Sequence, residues 1–336
     1  VPVTVVTAAS GTYDQVLTAE MDKDAAPTMF QVGNQGAVNS YGDFCYPLDN
    51  TDVMKEMTTQ DFNLKNAHGE TVSIGYCYEA FGIIVNKALL KQAGYELSDI
   101  TNFETLKKVA DDIHSRAAEL GFDAFSSAGL EGSSSWRFSG HLANMPLFYE
   151  FRDDKVTSQP ASIKGTYLDN FKNVWDLYTT DSATTGAALT TATGDASEAE
   201  FGQGKAVFYQ NGTWEYSNLV TDETKGFKMN PDDLAMIPIY CGVDGEEKAG
   251  LCCGTENCWA VNKNAKTPEN VFFAQANEYV ANGNYTVTWA FNWTPAVDDW
   301  RAAVVDALSQ YTTGNGSWDN VKTAFVEGWA TQYANQ

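Results

Sequence analysis

An α/β fold in two lobes is what this sequence predicts, and three observations carry the prediction. Val1–Val6 reads as a Val-rich strand, Thr12–Met21 as a helix and Pro27–Val32 as a second strand. Strand, helix and strand in close order point to α/β layers with parallel strands. The 336 residues are enough for two lobes of ordinary domain size. Third, the stretch Ile74–Leu90, IGYCYEAFGIIVNKALL, sets a single acid, Glu79, between two strand-like apolar runs and ends in a helix start. A carboxylate buried there needs donors. Either Glu79 is a strand-edge acid that reaches water, or the chain here leaves one packed body and enters another. In the second case Glu79 faces a cleft and has the hydroxyl groups of a ligand as partners.

The remaining elements follow in order. In the first helix Tyr13, Val16, Leu17 and Met21 share a face, with Ser10 or Thr12 as cap. Asn34-Gln35-Gly36 reads as a turn. Because open α/β sheets bind ligands at the carboxyl ends of their strands, Gln31 to Gln35, with Asn34 and Gln35 foremost, lie on a candidate binding edge. Asp49–Asp61 is a polar helical region before a strand at Thr71. Phe103–Leu120 is a helix capped by Asn102, with Leu106, Val109, Ala110, Ile113 and Ala117 at helical spacing. Phe122–Phe125 is a short strand, followed by a flexible Gly/Ser loop, AGLEGSSS, and then Trp136. That Trp is either a lid over a site or the first residue of a helix packed on the core. Gly165–Tyr178 is a helix, Thr179–Ala196 a polar connection, Ala206–Tyr209 and Leu234–Tyr240 strands. Leu251–Val261 carries a second crossing, with Glu256 and Asn257 in its turn as candidate ligand contacts.

Composition excludes several classes of function. Hydrophobic content of 43% and charged content of 19% describe a globular chain. No apolar run approaches the ~20 residues that span a bilayer. VPVTVV is not a signal peptide, so the signal segment is absent from the chain. With 44 acids against 21 bases the net charge is −23, which disfavours nucleic acid and anionic lipid as partners. Six cysteines are too few for a disulfide scaffold. Cys252, Cys253 and Cys258 could hold a metal or a disulfide, but the adjacent pair lacks the usual two-residue gap and no His is near. His68, His114 and His141 form no ligand spacing, so neither metal nor cofactor is expected.

Several aromatic residues stand in turn-like places beside amides and charged groups, not in helix stripes. These are Trp136-Arg137, Asn211-Gly212-Thr213-Trp214, Asn292-Trp293 and Asp298-Asp299-Trp300, in a chain with 9 Trp and 16 Tyr. Sugars offer an apolar C–H patch that stacks on an indole and hydroxyls that need paired donors and acceptors. Trp214 is the foremost candidate, since Gly212 frees the backbone before it. Trp136, Arg137, Asn211 and Trp293 join it. Trp175, Trp318 and Trp329 lie in helix patterns and read as core. The alternative is a glycoside hydrolase, which needs two carboxylates about one bond; Glu79 with Glu256 or Asp298 is the imaginable pair. No Ser-His-Asp order, phosphate loop or HExxH motif is present.

Four stretches together resemble the carbohydrate-binding proteins of ABC importers, the maltose-binding-protein-like cluster of family 1. They are Ile74–Leu90, the segment FYQNGTWEYSNL (Phe208–Leu219), the pair GTYDQVLTA and APTMFQV, and the closing DWRAAVVDAL…WDNVKTAFVEGW. The resemblance implies a two-lobed periplasmic-binding-protein-like fold with a hinge and an interlobe cleft. It makes Trp214 a stacking platform, Glu79 a hydroxyl acceptor and Trp300 a second platform. The expected first lobe is 1–78 with 250–267, and the second 79–247 with 270–336. The expected partners are a neutral oligosaccharide and the transmembrane subunits of an ABC permease, for a bacterial monomer that is extracellular, lipid-anchored or periplasmic, without catalysis. The chain departs from the family at Val1, where relatives have one more strand and helix, and after Lys263, where they carry a helix pair. On that analogy the first lobe lacks its leading βα unit and a packing helix pair, leaving a sheet edge exposed.

Overall fold

The computed structural model describes residues 4–8, 12–255, 258–265, 285–287 and 293–335. In chain order these form α1 (Tyr13–Met21), β1 (Met29–Gln31), α2 (Gln35–Tyr41), α3 (Asp52–Glu56), β2 (Leu64–Lys65), β3 (Thr71–Gly75), β4 (Glu79–Asn86) and α4 (Lys87–Gln92). Then come α5 (Phe103–Ser115), α6 (Ala117–Leu120), β5 (Asp123–Phe125), α7 (Ala143–Asp154), α8 (Leu168–Thr180), α9 (Gly194–Gly202), β6 (Ala206–Gly212) and β7 (Leu234–Ile237). The remaining elements are β8 (Ala249–Gly254), β9 (Cys258–Val261), β10 (Tyr285–Val287), α10 (Val297–Thr312) and α11 (Trp318–Ala334). The fold is α/β, and the chain divides into two compact units: Val1–Tyr78 with Gly254–Asn277, and Glu79–Cys253 with Glu278–Gln336.

The sheet of the first unit runs β1-β9-β3-β2, and every pair in it is antiparallel. The parallel arrangement expected from strand–helix–strand order is therefore absent here. Residues 4–6 of the expected first strand are not in a strand, and Val5 and Val6 are exposed. The consecutive residues Ala260 and Val261 of β9 face opposite ways. Ala260 packs with Leu17, Phe30 and Val38, and Val261 with Leu48, Val53, Met54 and Ile74.

The second unit holds a mixed sheet, β10-β8-β4-β6-β5, with β7 also paired to β4. β4 reads as a near-continuous apolar run because both faces are covered. α5, with its Asn102 capping box, lays Phe103, Leu106, Val109, Ala110 and Ile113 on the core. The helix expected to reach Leu120 breaks at Arg116, whose guanidinium turns to bond the Ala93 carbonyl at 2.8 Å and the Asp112 carboxylate. The Gly/Ser loop after β5, expected to be flexible, is tied down. Leu130 N–H donates to the Leu189 carbonyl, Glu131 N–H to that of Ala192, and Gly194 N–H to Ser134 Oγ. The polar connection at 179–196 is part of this packing, with a 3-10 turn at Gly186–Thr191 that buries Leu189.

Candidate functional site

β5 and β6 are parallel neighbours, so their carboxyl ends lie together, and the amino end of the antiparallel β4 meets them there. The carboxyl ends of strands are where open α/β sheets present ligand sites. The segment after β5 delivers Trp136, the turn after β6 delivers Trp214, and β4 begins with Glu79. Ala80, next to Glu79, accepts from Thr213 N–H at 2.8 Å, which binds the start of β4 to the turn before Trp214.

Trp136 and Trp214 stand with ring centroids 5.9 Å apart and planes inclined at 47°. Trp136 is 37% exposed and Trp214 half-buried. The seat of Trp214 is Gly212. A Cβ there would fall 2.2–2.5 Å from the six-membered ring of the indole, so any side chain at 212 takes the place of the ring. Asn211 then fixes the tilt: Trp214 Nε1 donates to Asn211 Oδ1 at 2.9 Å, and Asn211 Nδ2 donates to the Tyr209 hydroxyl at 2.7 Å. Asn211 is fully buried, so its expected ligand contact is corrected to the orienting of Trp214. Arg137 is also corrected. It is 4% exposed and lies 5.8 Å from the ring centroids of Trp136, Phe138 and Tyr209, beneath the aromatic surface.

His141 was not singled out by the sequence reading, yet it joins the cluster. Its ring stacks on Phe81 at 3.9 Å and 11°, meets Trp136 edge-on at 5.2 Å and lies 5.6 Å from Trp214. The wide turn Arg137–Leu142 has the i→i+5 bonding of a π-helix, which brings residues 136 and 141 to one side. Helical spacing of 3.6 does not reveal that pairing, and the sequence signal was an aromatic ring following Trp136 at five residues. Burial holds the His141 imidazolium well below its ordinary range, and Arg137 and Arg301 add to the effect. The ring is therefore neutral at neutral pH, with Gln210 Nε2 2.8 Å from its Nδ1. Arg301, from α10, was also missed; its Nη2 donates to the Trp136 carbonyl at 3.4 Å.

The other candidates lie elsewhere. Trp300 is completely buried between Phe325 and Trp329, with its Nε1 donating to the Phe325 carbonyl at 2.9 Å, so the expected second platform is a core residue. Trp293 packs on Phe151 at 5.7 Å. Asn34 is not in a turn but caps α2, accepting from Ala37 N–H at 2.9 Å, and Gln35 donates to the Lys65 carbonyl at 3.2 Å. Glu256 and Asn257 lie outside the described residues. None of the six cysteines is in a disulfide, and the described residues contain no group of three or more His, Cys, Asp or Glu able to hold a metal.

Residues 1–275 match the sequence profile of the bacterial extracellular solute-binding proteins. No curated protein sequence matches the chain. Among solved structures it is similar to apo RafE from Streptococcus pneumoniae, with 14% identity over 98% of this chain and 90% of that one and a TM-score of 0.67. RafE has also been solved in complex with raffinose. A sugar transporter from Bacillus licheniformis in complex with stachyose is 15% identical over 96% of this chain and 89% of its own, with a TM-score of 0.66. A structure on xylan utilization by Caldanaerobius polysaccharolyticus is 17% identical over 95% and 90%, with a TM-score of 0.68. These likenesses bear on the fold.

Proposed function

The chain belongs to the bacterial extracellular solute-binding protein family, and from that premise we propose that it binds a neutral oligosaccharide and hands it to the permease of an ABC importer. The observation that carries the reading is the Trp136–Trp214 pair, partly open and held at a fixed tilt. Two inclined indoles suit the C–H faces of a sugar better than a flat apolar ligand. The rings are immobilised before binding, so little side-chain entropy remains to be lost. Glu79, half-buried at the start of β4, supplies a hydroxyl acceptor at the same sheet end, worth about 1.5–3 kcal/mol as a charged hydrogen bond. The sugars named for RafE and the Bacillus licheniformis protein, raffinose and stachyose, are neutral and support this class. The net charge of −23 supports the same choice against nucleic acid or an anionic ligand. The protein acts as a monomer that binds and releases its sugar unchanged, outside the cytoplasmic membrane, either lipid-anchored at the cell surface or in the periplasm.

Thermal shift and calorimetry against raffinose, stachyose, xylotriose and chitotriose test the reading. A ligand at a hundred times its Kd stabilises the folded state by about 2.7 kcal/mol. Expected is a clear rise in Tm with at least one of the four, lost in Trp214→Ala. No shift with any of them, or sustained release of reducing ends that Glu79→Gln abolishes, overturns it.

A further inference from the structure

The two part-open indoles of the second unit are joined from beneath. Tyr209 and Asn211 stand two residues apart on β6 and so point to one face of the sheet. The Tyr209 ring is fixed in the core against Phe201, with centroids 5.4 Å apart, and its hydroxyl is reached from two directions. From the Trp214 side Asn211 Nδ2 donates to it at 2.7 Å. Asn211 cannot present its other end there, because Oδ1 already accepts from Trp214 Nε1 at 2.9 Å and from Gly212 N–H at 3.0 Å. From the Trp136 side Arg137 Nη1 donates to the same hydroxyl at 3.5 Å, and Arg137 is the next residue after Trp136. Three hydrogen bonds thus run from the indole of one tryptophan to the neighbour of the other.

The hydroxyl is the point on which that chain depends. A guanidinium is always charged and offers five N–H donors, so a buried one needs acceptors. Arg137 is buried, and its Nε and Nη2 have no hydrogen-bond partner among the described residues. The Tyr209 oxygen is the acceptor that this side chain has. Gly194, at the start of α9, leaves the guanidinium its room: a Cβ there would fall 3.0 Å from Nη1 and 3.4 Å from Nη2. A neutral hydroxyl oxygen has two lone pairs, one for each of its two donors. Burial holds the Tyr209 hydroxyl un-ionised, with its pKa raised above the ordinary tyrosine value, and the charges of Glu215 and Glu198 push the same way against Arg137.

We propose that Tyr209 is a positioning residue for the sugar platform: its buried hydroxyl sets the Trp136 and Trp214 rings at one mutual angle, so that they meet a ligand as a single surface. The proposal rests on the oligosaccharide reading above and assigns a role to a side chain buried beneath the site. Its first test needs no ligand. In the full chain labelled with fluorotryptophan, Tyr209→Phe should move the fluorine resonances of both Trp136 and Trp214, identified by their loss in Trp136→Phe and Trp214→Phe, and leave that of Trp329 in place. The second test is affinity for raffinose, stachyose, xylotriose and chitotriose. Tyr209→Phe should weaken the best of these roughly three- to ten-fold, the scale of one hydrogen bond. In a Trp214→Phe background, which has no indole N–H, the same change should cost almost nothing more, because the chain is already cut. A hydroxyl that only stabilises the core lowers the Tm in both backgrounds and shows no such coupling in affinity. If Tyr209→Phe fails to fold, Arg137→Gln makes the test from the other end, read by the Trp214 resonance. Wild-type affinity in Tyr209→Phe with binding still lost in Trp214→Ala, equal affinity losses in the two backgrounds, or an unmoved Trp136 resonance each overturns the positioning role and leaves the oligosaccharide reading standing. A wild-type protein that binds none of the four overturns both.

Discussion

Among its described residues the second unit packs 48 buried ones into one continuous core, with a four-residue cluster on the other side of its sheet. The first unit, among its described residues, divides a much smaller set between nine on one face of its sheet and five on the other. Burial scales faster than chain length, so the smaller body is the less stable one. The comparison also separates two uses of tryptophan. Trp300 and Trp329 are fully buried in the second unit and hold helices together, while Trp136 and Trp214 are kept part-open at a strand end by a glycine, an asparagine and a histidine.

The largest effect that sharpens this contrast is on core tryptophan. Trp300→Ala should lower stability by about 3–5 kcal/mol, the usual loss for a buried Trp, with affinity per folded molecule unchanged. Trp214→Ala should do the reverse: little change in unliganded Tm by calorimetry and a large loss of sugar affinity. Equal stability losses in the two variants would erase the distinction between core and platform. Next comes Glu246, whose carboxylate is buried and accepts from the N–H groups of Phe103, Cys241 and Gly242 at 2.6–2.8 Å. It clips the start of α5 to the loop after β7. Glu246→Ala leaves those donors unmet and should cost about 3 kcal/mol by denaturant unfolding. An unchanged midpoint would mean that water replaces the carboxylate.

A smaller effect sets the two units against each other directly. In native-state hydrogen exchange the amides of β1 and β3 should open at lower free energy than those of β4 and β6. Equal protection would show that the two small clusters of the first unit are reinforced by more than the packing described.

What the sequence made legible, and what it hid, follows the same division. The amphipathic pattern of α5, the strand at Ala206 and the turn bearing Trp214 were readable because local period and turn chemistry decided them. Glu79, Trp136 and Trp214 come to one sheet end in the structure, each singled out by an oddity of local sequence. Trp300 was misread because acids before a Trp look like an exposed helix start. Burial of that indole depends on Phe325 and Trp329 from α11, which no local pattern announces. His141 and Arg301 were missed for a related reason, since a π-turn and a long-range contact place them. In the first unit the expected parallel strands gave way to antiparallel ones because β9 arrives from far along the chain and lies between β1 and β3.

The smallest effect concerns two titrating groups near the platform, which pull stability in opposite directions. Glu215 follows Trp214 and is 8% exposed. Burial raises its carboxyl pKa above the ordinary range, the charge of Glu198 raises it further, and Arg137 and Lys225 oppose the rise. Its folded state thus holds a proton that the unfolded chain has released, so stability falls as pH climbs from about 4.5 through the raised folded value. His141 has the opposite sign: its folded pKa is depressed, mainly by burial, and the unfolded chain takes up a proton first. Stability is then lost as pH falls below about 6.5. Glu215→Gln should therefore raise the Tm at pH 7 and give no gain below pH 4, where both states of the wild-type carboxyl are protonated. His141→Phe should flatten the loss between pH 6.5 and 5 that the wild type shows. A Glu215→Gln variant less stable than wild type at pH 7 would mean that the ionised carboxylate is held by the charges of Arg137 and Lys225 strongly enough to offset its burial. The ring of charges behind Trp214 would then be a stabilising network, and the part-open face of the second unit would owe its rigidity to ion pairing as well as to Gly212 and Asn211.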